Sequence, residues 1–140
     1  MDTPKDISTL YRKMNMSVNA KLAPLGLSSS KAMFLFCLYD HKQMSQVEIC
    51  RDLEMDKSTV AKMLSRLEKD GFITKSVNPD DIRSFRVTLT DKALALVPQA
   101  REIHKNWIDD ITGKLTDLEK RNFLELLKKV ADTANEISQS

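Results

Sequence analysis

Seven polar residues between positions 57 and 69 have the types and spacing to hydrogen-bond a nucleic acid. Val60, Leu64 and Leu67 recur at the i, i+4, i+7 spacing of a helix that buries one stripe. The positions that this stripe leaves exposed are Lys57, Ser58, Thr59, Lys62, Ser65, Arg66 and Lys69. Arginine and lysine pair with guanine O6 and N7, and hydroxyl groups bond bases or phosphates. The pattern predicts a helix that binds DNA through its open face.

Charge alone does not establish this function. The chain has 22 basic and 20 acidic residues, a net charge of +2, which argues little about nucleic acid. Between Lys57 and Lys75 there are five basic and two acidic residues. So modest an excess also fits an ordinary solvated surface helix, and the neighbouring elements must decide between the two interpretations.

Those elements are two short capped helices. Ser45 and Glu48 form a capping box that opens a helix with Ile49, Cys50 and Leu53 inward. Asp56 can cap the next helix, and glycine at position 71 fits the left-handed conformation that ends it. The helix with the polar open face is therefore the second of a closely spaced pair.

A β-hairpin is predicted to follow this pair. Phe72–Lys75 has the composition of a strand, Val77–Asp81 that of a turn-rich loop, and Ser84–Leu89 alternates with Phe85 on the same face as Val87 and Leu89. Two short helices and a hairpin make a winged helix-turn-helix, whose second helix enters the major groove through its N-terminal half. The fold class is mainly α with a small β-hairpin wing.

Longer helices flank this unit. A first helix over residues 6–22 is amphipathic, and the apolar run Ala32–Leu38 predicts a buried second helix. Pro98 predicts a kink or a break near residues 94–98 of a fifth helix. A sixth helix begins at the capping box of Thr116 and Glu119. Its apolar residues, expected to face inward, are Phe123, Leu124, Leu127, Val130, Ala134 and Ile137.

The ordered set of motifs resembles the MarR family of bacterial transcriptional regulators. The similar segments are Met44–Ile49, Asp56–Val60, Leu67–Ile73, Asp80–Arg83 and Val87–Thr90, within a match over residues 25–95. The resemblance implies one domain over residues 1–140, with a DNA-binding lobe at 28–90 and helical dimerisation regions at 1–24 and 91–140. It also implies a homodimer that places two recognition helices in successive major grooves.

The resemblance implies roles for further residues. Arg83 at the wing tip would enter the minor groove with its side chain fixed by Asp81, and a narrow minor groove does attract arginine. The alternative for Asp81 and Arg83 is a surface ion pair of little consequence. Arg86 is assigned to the wing contact, and Ser45 and Gln46 to phosphates. The dimer interface is predicted at Ile7, Leu10, Ile111, Phe123, Leu127 and Val130.

Sensing is the least determined part of this interpretation. Family members often respond to small aromatic or lipophilic effectors, and a corresponding crevice would be lined by Tyr11, Met14, Phe34, Leu38 and Trp107. The alternative for these residues is plain core and interface packing. Cys37 and Cys50 are interpreted as small buried thiols, with a redox switch as the alternative. The family's oxidant-sensing scheme uses a cysteine in the first helix, and this first helix has none.

Three residues depart from the family pattern. Glu54 stands in the turn where many relatives have glycine, so a strained backbone is expected there. Ala93 replaces a frequent glycine, and Pro98 is unusual in the fifth helix.

Other functional classes are weighed on the same residues. The sequence has no Ser/His/Asp set and no phosphate-binding glycine loop, so it predicts no enzyme and no cofactor. The two histidines lie far apart and the cysteines form no recognised motif, so no metal site is expected. The lack of a signal-peptide pattern or a long apolar run predicts a cytoplasmic protein without membrane contact. A repressor acting on an inverted repeat is predicted, and a winged helix that binds another protein is the alternative.

Overall fold

The structure is a computed structural model that describes residues 1–138. The helices are α1 (Thr3–Leu22), α2 (Ser29–His41), α3 (Gln46–Leu53), α4 (Lys57–Lys69), α5 (Asp91–Ile111) and α6 (Asp117–Ser138). The strands are β1 (Gln43–Met44), β2 (Ile73–Asn78) and β3 (Asp81–Leu89), and a 3-10 turn, Ala23–Leu25, follows α1. The predicted fold class, mainly helical with a β wing, is confirmed.

The chain divides into two compact units. The first is Met1–His104 and contains every strand and the first four helices, and the second begins at Lys105. No single helix within residues 1–138 has the length and apolar composition to cross a membrane. One pair of helical segments meets those two criteria when its members are taken together. The pair is Thr3–Leu25 and Ser29–His41, which are bent by 70° relative to each other.

Helix α2 lies in the core of the first unit. Ala32, Phe34, Leu35, Cys37 and Leu38 are all buried along it, as its nearly all-round apolar sequence predicts. Its N-terminus is capped by the hydroxyl of Ser28, which accepts from the backbone N–H of Lys31 at 3.2 Å.

The wing is a three-stranded antiparallel sheet in the order β1-β3-β2. The hairpin of β2 and β3 is as predicted, but its connection is shorter, because β2 extends to Asn78 and β3 begins at Asp81. The strand β1 was not predicted. It pairs Gln43 with Thr88 and Met44 with Val87, so it ties the wing to the segment between α2 and α3.

Helix α5 runs without a break through Pro98, so the predicted break does not occur. Proline removes one N–H from the helix ladder and leaves the carbonyl of Leu94 without its usual donor. Leu94 and Pro98 are both exposed, whereas Val97 and Ala100 are buried. Water can therefore bond the freed carbonyl while the buried residues hold the helix in place.

Helix α6 corrects a second expectation. None of its described residues is buried, and Leu127 and Val130 are 46% and 66% exposed. The apolar stripe predicted to face inward is therefore largely exposed in the single chain. At the start of the second unit, Asp109 accepts from Lys105 at 2.7 Å and from Lys120 at 2.6 Å, and these bonds hold the pKa of Asp109 at about 2.

Candidate nucleic-acid interface

The turn between α3 and α4 is built from capping residues. Ser45 caps α3, since its hydroxyl accepts from the backbone N–H of Glu48 and donates to the carboxylate of Glu48, both at 3.2 Å. Glu54 ends α3 in the left-handed conformation, with φ 53° and ψ 50°. The strain expected at this non-glycine residue is therefore present. Asp56 then starts α4 as its N-cap.

Helix α4 is anchored through its apolar stripe. Val60, Leu64 and Leu67 are each at most 1% exposed, and burial of three such side chains holds the helix firmly against the core. All seven polar residues of the opposite face are exposed, namely Lys57, Ser58, Thr59, Lys62, Ser65, Arg66 and Lys69. The predicted orientation of this helix is confirmed.

Ion pairs concentrate positive charge on the open face of α4. Glu68, the acidic residue of α4, lies 3.7 Å from the ammonium group of Lys75, and Asp70, which follows the helix, lies 3.0 Å from that of Lys31. Both acids are thus neutralised by residues outside α4. Within residues 1–138, the side chains of Lys62 and Arg66 have no intramolecular hydrogen bond or ion pair, so both cations are available to a partner.

Two predicted contact residues also have structural roles. The side-chain amide of Gln46 donates to the carbonyl of Lys57 at 3.3 Å and so fixes the start of α4 relative to α3. Thr59 donates from its backbone N–H to Asp56 at 2.7 Å and from its hydroxyl to the same carboxylate at 3.0 Å. The Thr59 hydroxyl can therefore accept from a partner but does not offer its proton.

Substitution of Asp56 tests how the cap sets the start of α4. The two bonds from Thr59 lower the pKa of Asp56, so the stabilisation is present above the pKa of the unfolded chain and is lost as pH falls through the lower folded value. We expect Asp56→Ala to lower the melting temperature at neutral pH by a few degrees. Asp56→Asn keeps a capping oxygen and should lose little.

Thermal unfolding monitored by circular dichroism, at pH 7 and again near pH 3, checks this expectation. The difference between Asp56→Ala and the wild type should shrink in acid. Equal melting temperatures at pH 7 would show that the cap contributes no stability.

The wing tip is organised by Asp81. Its carboxylate accepts from the backbone N–H of Arg83 at 3.0 Å, so Asp81 fixes the backbone at Arg83, where the resemblance implied that it fixes the side chain. The structure has no ion pair between these two residues, and Arg83 is exposed. Within residues 1–138, the guanidinium of Arg83 has no acidic partner, and the backbone that carries it is fixed near the start of β3. An arginine placed in this way has the form of a groove-inserting group.

Arg86 differs from Arg83, because its guanidinium already forms hydrogen bonds within the chain. It donates to the side chain of Gln43 at 3.3 Å and to the carboxylate of Asp80 at 3.4 Å. These bonds join β1, β3 and the wing loop. Arg86 therefore braces the wing, a role that sequence reasoning missed, because the two-residue strand β1 is too short to leave a pattern.

The five residues of the predicted crevice have different environments. Phe34 and Leu38 are buried in the core, whereas Tyr11 is 66% exposed. Met14 and Trp107 are half-buried. Leu38 also lines a cavity of ≈ 370 Å³. The other residues that line this cavity are Tyr39, Lys42, Thr88, Leu89 and Leu94.

The two cysteines differ in burial. Cys37 is buried and Cys50 is half-buried. Burial, and then the hydrogen bond and negative charge of Asp52, raise the pKa of the Cys37 thiol to about 12. The thiol is protonated at neutral pH, so it is a poor nucleophile toward oxidants.

The predicted dimer residues are largely uncovered in the single chain. Ile7, Leu10 and Ile111 are 63%, 42% and 40% exposed, and Phe123 is half-buried. These side chains are therefore accessible in the single chain, and an interface with a partner would bury them.

The chain is similar in sequence to known transcriptional regulators. The MarR family model matches residues 27–85. The chain is 26% identical over 133 residues to the HTH-type transcriptional regulator BilQ of Clostridioides difficile (strain CD3), covering 95% of this chain and 90% of BilQ.

Solved structures superpose on more than nine-tenths of this chain. A MarR transcriptional regulator from Methanosarcina mazei Go1 superposes with a TM-score of 0.86 at 28% identity, covering 96% of each chain. A cysteine-to-serine variant of MarR from E. coli, complexed with operator DNA, superposes with a TM-score of 0.82 at 26% identity, covering 91% of each chain. In sequence and in fold, the protein with the anchored α4 and the braced wing is similar to the MarR family of transcriptional regulators.

Proposed function

We propose that this regulator is a repressor that binds an inverted-repeat operator as a homodimer. The proposal rests mainly on Lys62 and Arg66, which lie on the open face of α4. Within residues 1–138 neither side chain has an acidic partner, and the opposite face of α4 is buried in the core. Such a helix can enter the major groove and pair with guanine. A dimer that fills two successive grooves would exclude polymerase from an overlapping promoter. Under this proposal the protein acts in the cytoplasm.

Support for the dimer comes from the terminal helices. Within residues 1–138, α6 buries none of its side chains in its own chain. A helix of this amphipathicity gains stability from tertiary or intersubunit packing rather than from propensity. We propose one functional domain over residues 1–140, in which residues 28–90 bind DNA and the regions 1–24 and 91–140 dimerise.

The wing supplies the third expected contact. Arg83→Ala should weaken operator binding roughly fivefold, the lower end of the range for a base-contacting arginine. It should also change the preference for A·T pairs beside each half-site, because the narrow minor groove of such sequences attracts arginine.

Competition binding with operators that differ only at the flanking pairs would measure both effects. Arg83→Lys retains the charge and should retain part of the affinity but lose the A·T preference. If Arg83→Ala bound every operator like the wild type, the wing would have no role in recognition.

Selection of bound sequences from random DNA tests the proposal as a whole. The expected product is an inverted repeat with half-site centres about one helical turn apart. Its affinity should fall steeply with salt, because phosphate contacts release counterions. Binding without sequence preference, or no binding, would exclude the proposed function and favour a winged helix that contacts another protein.

We further propose that a small aromatic or lipophilic molecule releases the regulator from DNA. The cavity of ≈ 370 Å³ beside Leu38 has the size of a small-molecule site, and its lining is mainly apolar. Adding salicylate-like phenolic compounds to the purified complex should release operator DNA. Release that persists unchanged in Leu94→Trp, which would fill the cavity, would exclude this site.

A further inference from the structure

A cluster of metal-ligand side chains lies where α2, β1 and α3 meet, outside the proposed DNA interface. Cys37, His41 and Asp52 each place one ligand atom within 4.8 Å of the others. The Sγ atom of Cys37 lies 3.0 Å from a carboxylate oxygen of Asp52, and Nε2 of His41 lies 4.0 Å from the other oxygen. We propose that these three residues bind a zinc ion.

The ligand types are those that zinc takes in proteins. Thiolate, imidazole and carboxylate all bind zinc at about 2.0–2.3 Å, which puts neighbouring ligand atoms of a tetrahedral site about 3.5 Å apart. The three ligand atoms lie within 4.8 Å of one another, but the Sγ atom of Cys37 and the Nε2 atom of His41 approach different oxygens of Asp52. Binding therefore requires the three side chains to close around the ion, with one oxygen of Asp52 turned toward it, and the release of one thiol proton to solvent.

The histidine is already oriented as a ligand. Its Nδ1 atom lies 2.8 Å from the carbonyl oxygen of Cys37. Because a carbonyl only accepts, Nδ1 carries the proton in this bond, and the neutral ring presents a lone pair at Nε2. Metal-bound histidines are held by the same kind of bond from the second ring nitrogen. Nε2 is the atom that faces Asp52.

The surroundings favour a cation with one open coordination position. Cys37 is buried, while the side chains of His41 and Asp52 are 49% and 41% exposed, so an ion can enter from solvent. The thioether of Met44 lies 3.3 Å from the thiol and closes the inner side. Asp40 is paired with Arg101 at 2.9 Å, so it does not compete for the ion. Three protein ligands and one water complete the proposed site.

The expectation that the chain has no metal site rests on the separation of its two histidines and on the lack of a recognised cysteine motif. That expectation did not consider the spacing of Cys37 and His41. These residues are four positions apart on one helix and therefore share a face. Asp52 comes from a different helix, and its approach follows only from the fold. The bound ion would link the last turn of α2 to the last turn of α3, next to the turn that leads into α4.

Cobalt(II) tests the proposal, because it replaces zinc and reports thiolate coordination in its spectrum. The full-length protein, freed of any histidine tag, is reduced with a phosphine, stripped with chelator and titrated with Co²⁺. A thiolate-to-cobalt charge-transfer band should saturate at one ion per chain, with visible bands of four-coordinate cobalt, and Zn²⁺ should remove both. The zinc dissociation constant should be micromolar or tighter.

The chain supplies its own matched control, since it has two cysteines. Cys37→Ser should abolish the charge-transfer band, and Cys50→Ser should leave it unchanged. His41→Asn and Asp52→Asn alter exposed side chains and should weaken zinc binding at least about tenfold, while circular dichroism confirms that the fold is intact. The proposal is overturned if no band forms, if Cys50→Ser removes it, or if His41→Asn and Asp52→Asn both bind zinc like the wild type.

Discussion

Arg66→Ala should weaken binding to the selected operator by about 1–3 kcal/mol for each half-site, which is roughly fivefold to more than a hundredfold. Arg66 is exposed on α4 and has no acidic partner within residues 1–138. Its guanidinium can therefore contact guanine without first breaking an ion pair. A bidentate contact to O6 and N7 also discriminates against the other bases. Selectivity at one base pair should therefore fall together with affinity.

Competition binding against operators substituted at each position would locate the affected base pair. Arg121→Ala is the matched control, because it removes the same side chain from an exposed position on α6. Lys57→Ala, at the start of α4, should weaken all sequences alike and reduce the salt dependence by about one ion, as expected for a phosphate contact. If Arg66→Ala retained the affinity and the base preference of the wild type, α4 would not read the major groove through this residue.

Val130→Glu is expected to convert the proposed dimer to a monomer. Val130 is 66% exposed in the single chain, so a carboxylate there costs the monomer little, whereas burial of an unpaired charge in a dimer interface is strongly unfavourable. Loss of the dimer also makes the two half-site contacts independent. Operator affinity should then fall by about 10²–10⁴-fold, the gain that linkage of two binding modules provides.

Sedimentation equilibrium measures the first effect, and operator binding with one or two half-sites measures the second. Arg121→Glu is the control, because it lies nine residues from Val130 and so, at about 100° per residue, on the opposite side of α6. The monomer should still bind a single half-site. A Val130→Glu protein that remained dimeric would show that the α6 stripe lies outside the interface.

The sequence predicted the helix pair and the open face of α4 well because the signals there are local. The stripe of Val60, Leu64 and Leu67, together with the caps at Ser45 and Asp56, identifies the helices and the face that α4 leaves open. These features depend on residues within a few positions of one another, where helical periodicity and capping are most informative.

The features that sequence reasoning missed depend on contacts between distant residues. Pairing of Gln43 with Thr88, and the approach of Arg86 to Gln43, exist only after the chain has folded back on itself. The α6 stripe was assigned inward, because an apolar stripe predicts burial without saying whether the burying surface belongs to the same chain. The Cys37 and His41 spacing was visible, but it gains meaning only from Asp52.

The strand β1 has a consequence for how this region folds. Because β2 follows α4 directly and β3 pairs with β1 just before α3, the segment from Gln43 to Thr88 forms a closed loop that contains the helix pair and the wing. The entropy of closing that loop is lost once, and every contact inside it then forms at lower cost. The helices and wing should therefore open together, with backbone amides of Ile49, Val60 and Val87 exchanging with solvent at similar rates.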